Sequence, residues 1–86
     1  MELRRKTTCL LLEKILSFSR QIEMGEVPEE LEDRAIGDVR IMETFKAAYE
    51  SYKELPLRDP IRVYFGKRGG DFRAALNNIV QYINTS

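Results

Sequence analysis

An 86-residue chain with 14 cations, 14 acids, no histidine, no tryptophan and a single cysteine lacks the raw material for most common chemistry. Without histidine there is no Ser-His-Asp or Cys-His relay and no histidine-ligated metal, and one cysteine makes neither an internal disulfide nor a CxxC pair. A composition 43% hydrophobic and 33% charged fits one soluble globular domain over residues 1–86.

The zero net charge is unevenly spread. Residues 1–20 carry five cations against two acids, residues 21–54 ten acids against four cations, and residues 55–86 five cations against two acids. Either the acidic middle neutralises its basic flanks inside the fold, or a face of one sign stays exposed for a charged partner. Arg4, Arg5 and Lys6 precede the apolar run Cys9-Leu10-Leu11-Leu12, but Glu13 and Lys14 interrupt it well short of a signal peptide's core. No stretch approaches the roughly 20 apolar residues of a membrane span. A lone Cys9 suits a reducing compartment, so a cytoplasmic protein is expected.

The first helix is predicted over about 8–24. Leu11, Ile15, Phe18 and Ile22 repeat at helical spacing, and Leu12 and Leu16 widen the stripe. Thr7 or Thr8 would supply the N-cap oxygen and Gly25 the left-handed stop. Pro28, followed by Glu29, Glu30, Glu32 and Asp33, reads as a second helix start, over 28–36, with the acids favoured at the positive end of the dipole. The same four carboxylates could suggest a metal site, but the helix start already explains them. Gly37 and the capping residue Asp38 then favour a break over one continuous helix, with a third helix over 38–54 whose apolar face is Met42, Phe45, Tyr49 and Tyr52.

Leu55–Pro60 is a connector, because each proline drives its predecessor out of the helical region. Ile61-Arg62-Val63-Tyr64-Phe65 alternates with a period of two and is rich in strand-favouring residues, which predicts an extended or strand segment over 61–65. Gly66–Gly70 reads as a flexible turn. Asp71 caps a last helix over 72–84, with Phe72, Leu76, Ile79 and Ile83 on one face.

Two stretches could carry a binding role. The strand, glycine-rich turn and helix start, with Lys67 and Arg68, have the ingredients of an anion cradle, but no GKS or GKT is present and Asp71 places a negative charge where a phosphate would sit. Arg62, Tyr64, Lys67, Arg68 and Arg73 mix an aromatic with cations, as nucleic-acid surfaces do, in a chain whose pI near 6.3 is low for a dedicated binder. These five are the candidate partner-binding residues. Cys9, near a basic cluster and a helix start, could be an activated thiol; a small buried hydrophobe is the plainer reading.

Residues 40–53, with Arg40, Glu43, Ala47, Ala48, Tyr49 and Ser51, resemble the helical tail of the Gfo/Idh/MocA oxidoreductases over about a sixth of the chain. That family's GxGxxG loop and catalytic domain have no counterpart here, so the resemblance implies no activity, cofactor or site residue for this chain.

The expected fold is mainly α: a small three- or four-helix bundle with one short extended or strand segment before the last helix. The expected function is a non-catalytic protein-binding module (a regulator, inhibitor or complex subunit) with no catalytic residue, cofactor or metal. The alternative is a nucleic-acid-binding accessory protein using residues 62–73. A strand with no partner elsewhere in the chain would leave its backbone groups unpaired, which predicts a homodimer through Ile61–Phe65.

Overall fold

The computed structural model describes residues 4–26 and 37–85. Four helices follow in order: α1 (Arg5–Glu23), α2 (Gly37–Glu54), α3 (Pro60–Lys67) and α4 (Phe72–Thr85). There is no strand among the described residues. The helix expected over 28–36, with its cluster of acids, lies outside them, as does the question of whether it runs on into α2.

α1 starts three residues earlier than its threonines predict. Arg4 is the N-cap, in extended conformation and with no side-chain cap bond, and Thr8 is buried inside the helix. A tertiary contact holds this end instead: the first helical residue, Arg5, donates from both terminal nitrogens to the Asp59 carboxylate, at 2.9 and 2.8 Å, which leaves the first-turn amides uncapped. The far end follows expectation. Gly25 has φ +80°, its N–H reaches Ile22 O at 3.1 Å, and Glu26 N–H reaches Gln21 O at 2.8 Å, the paired bonds of a Schellman stop.

The segment predicted as a strand is α3, and this is the main correction. Asp59, extended at φ −60° and ψ 136°, accepts from Ile61 N–H at 2.9 Å through its side chain, and Pro60 occupies the first turn. Asp-Pro is therefore a cap followed by a residue already bent to helical φ. Ile61 and Phe65, four apart, are both buried, whereas Val63, which a strand would align with them, is 43% exposed. The period is helical. The segment's amides are bonded within its own turn, Val63 N–H to Asp59 O at 3.0 Å among them, so the unpaired edge that argued for a two-fold pairing does not exist.

α3 closes with a second Schellman stop. Gly69 has φ +72°, Gly69 N–H points to Gly66 O at 3.4 Å, and Gly70 N–H donates to Phe65 O at 2.9 Å. Asp71 then caps α4 as expected, accepting from Ala74 N–H at 3.1 Å.

The core draws on all four helices: Leu12, Ile15 and Phe18 from α1, Phe45 and Ala48 from α2, Ile61 and Phe65 from α3, and Phe72, Ala75, Leu76 and Ile79 from α4. α1 packs against both α2 and α4, which also touch each other. α3 seals one end, its Phe65 ring edge-on to Phe72 at 5.5 Å between centroids. A part-buried polar pair bridges α1 and α4, with Asn78 Nδ2 donating to Ser19 O at 3.2 Å and Ser19 Oγ at 3.1 Å.

Candidate interaction surface

The five residues singled out from sequence sit on α3, on the turn after it and on the first turn of α4, but they do not form one cationic face. Arg62 points back at the end of α2. Its guanidinium donates to Lys53 O at 3.2 Å and Leu55 O at 3.1 Å, and it lies 5.0 Å from the Tyr52 ring centroid. Those carbonyls are among the last of a helix, where intrahelical partners run out. Arg62 is a clip between α2 and α3.

Tyr64 and Arg68 form a knot with α1. The Tyr64 hydroxyl donates to Glu13 Oε1 at 3.3 Å and accepts from Arg68, whose guanidinium stacks 5.0 Å from the Tyr64 ring and lies 3.6 Å from the same Glu13 carboxylate. Arg68 is thus already neutralised. Of the five, Lys67 and Arg73 stay exposed with no ion pair among the described residues. The glycines of the supposed anion cradle serve closure of α3. A Cβ on Gly70 would lie 2.7 Å from Phe65 O, so this residue is glycine because the chain passes close to its own helix end.

Two concavities flank α1. One, of about 250 Å³, is formed by α1, α4 and the turn between α3 and α4; its charged lining residues are Arg20, Arg68, Glu23 and Asp71, so its charges balance. The other, of about 170 Å³, lies between α1 and α2. Its walls are Leu11, Phe18, Ile41 and Phe45, with Thr44, and its two charged lining residues are Lys14 and Arg40. Both cations are exposed, and among the described residues no carboxylate lines the groove and neither cation makes an ion pair.

Sequence reading did not single out this groove. Leu11, Lys14 and Phe18 share one side of α1 at helical spacing, and the wide apolar stripe of α1 hints that one partner helix does not cover it. Which residues of α2 come opposite is a tertiary fact. Among the described residues no group of three or more His, Cys, Asp or Glu side chains could hold a metal, and Cys9 is a half-buried free thiol. No helix of the described residues is long and apolar enough to cross a membrane.

Comparison with protein-family models, with curated proteins and with solved structures finds no match.

Proposed function

We infer that this chain is a small non-catalytic protein-binding module. The observation that carries the reading is the α1–α2 groove: an apolar floor open to solvent, edged by two cations that make no ion pair among the described residues. Apolar floors with a polar rim are the usual anatomy of a protein contact. The make-up of the chain points the same way, since it has no histidine and its one thiol is half-buried.

Site-specific photo-crosslinking in the native cell tests this. A photoreactive residue at Thr44, exposed on the groove wall, is expected to capture a discrete protein, and one at Asn77, exposed on α4, which does not line the groove, is not. Absence of any protein adduct from Thr44, Tyr64 and Lys67 alike would overturn the module reading.

A nucleic-acid accessory role is the second reading, favoured by Lys67 and Arg73, which flank the α3–α4 turn without ion pairs. Two phosphate contacts predict a log–log salt slope of only about −1.4 to −1.8 for single- or double-stranded DNA, at roughly 0.7–0.9 per phosphate. A slope of about −3 or steeper would mean that Arg62 and Arg68 leave their present partners to join them.

A further inference from the structure

We propose that the α1–α2 groove binds an acidic amphipathic peptide segment of a partner protein, one large apolar side chain entering between Ile41 and Leu11 while flanking carboxylates pair with Lys14 and Arg40. The proposal rests on the protein-binding reading and names the chemistry of the partner. Three observations support it. First, the groove volume of about 170 Å³ is on the scale of the ~150 Å³ apolar cavity known to accept a benzene ring, so it suits a single aromatic or branched aliphatic anchor. Second, the deeper walls, Phe18 and Phe45, are almost fully buried and meet edge-to-face at 5.2 Å, so the floor is preformed by core packing and costs little to organise. Third, the charge is one-sided. Arg5, Lys53 and Arg68 are paired, with Asp59, Glu50 and Glu13. Lys14 and Arg40 make no ion pair among the described residues, and they stand on opposite helices of the same groove. A basic segment would be repelled there, and an uncharged one would leave both cations without a counter-charge, so charge complementarity selects an acidic partner.

The test is selection of a random 12-residue peptide library displayed on phage against the intact chain. The expected consensus combines an aromatic or branched aliphatic residue with two or more Asp or Glu. A synthetic peptide of that consensus should lose at least tenfold in affinity when its apolar anchor becomes Ala. It should lose at least as much when the chain carries Lys14→Glu and Arg40→Glu together, and affinity should recover in part when the peptide's acids are replaced by Lys. Circular dichroism checks that the double variant stays helical, and a milder Lys14→Gln, Arg40→Gln pair repeats the test should it not. A consensus without acidic excess, no selected peptide at all, or affinity indifferent to both rim variants would overturn the proposal. The two readings fail separately: a protein adduct from Tyr64 or Lys67 but none from Thr44 removes the groove and leaves the module, whereas no adduct from any of the three positions removes both.

Discussion

The Asp59 carboxylate accepts the Ile61 amide at 2.9 Å and both terminal nitrogens of Arg5, so one side chain starts α3 and ties it to the first turn of α1. The Arg5 hydrogen bonds, and after them the Ile61 amide, favour its charged form and hold its pKa below the ordinary 3.8. A carboxyl lowered in the folded state adds stability above its unfolded pKa, and that stability is lost as pH falls through the folded value. Asp59→Asn keeps an oxygen for the cap but loses the charge. The native protein should therefore melt at a higher temperature than the variant near neutral pH, and the gap should close below about pH 4. A gap that persists undiminished at pH 2 would mean that the charge is irrelevant. Two glycines on the same segment should respond with opposite signs. A Cβ at Gly66 meets nothing within 4 Å, so Gly66→Ala should stabilise α3 by up to about 1 kcal/mol through helix propensity. At Gly70 the new carbon would press on Phe65 O and on the Phe72 ring, so Gly70→Ala should cost about 1–3 kcal/mol. Urea unfolding of the two variants measures both.

At the scale of elements, α3 shows where sequence reading succeeds and where it fails. α1, α2 and α4 were legible because each is long enough for an apolar stripe to repeat over three or more turns. The stripes name the buried Ile15 and Phe18, Phe45, then Phe72, Leu76 and Ile79, but Leu11, Ile22, Met42, Tyr49, Tyr52 and Ile83 are only half-buried and the buried Ala48 was in no stripe. A five-residue run cannot separate the two periods, since Ile61 and Phe65 share a face in either conformation. Arbitration lay outside the run, in Asp59-Pro60. Reading that pair as a connector missed that a residue extended before proline is also what an N-cap requires. The direct check is Val63→Ala. On an exposed helical position it should leave stability unchanged within about 0.5 kcal/mol or raise it slightly. A clear loss would restore the packed strand. The binding surface was less legible than the helices. Arg62, Tyr64 and Arg68 look like free ligands in sequence because their partners lie elsewhere on the chain: the α2 end for Arg62, Glu13 for the other two.

The whole molecule is held by ties between distant parts of the chain: Arg5 to Asp59, Glu13 to Tyr64 and Ser19 to Asn78. Among the described residues no ion pair joins the basic ends to the acidic middle. Glu13 and Asp59, the acids that quench Arg68 and Arg5, belong to the basic segments themselves. The Cα radius of gyration of 12.8 Å lies close to the roughly 12 Å of a compact chain of this length. With the α3 amides bonded inside their own helix, nothing in residues 61–65 asks for a second copy. Sedimentation equilibrium at micromolar concentration should give one species of 10.0 kDa. A species of twice that mass would place self-association on another face, with the α1–α2 groove the first to examine.

The connector between α2 and α3 carries Leu57, 79% exposed, yet the core is shared by the helices on either side of it. Severing the backbone there would remove no buried contact. It would leave two pieces, one bearing Leu12, Ile15, Phe18 and Phe45 and the other Phe65, Phe72 and Ile79, each exposing the apolar face that the other covers. What the intact peptide bond supplies at this point is local concentration, of millimolar order for a short tether. A nicked chain would thus fold as a bimolecular reaction, its helicity rising with the concentration of both halves, which makes residues 56–58 a natural place to split the protein into a complementing pair.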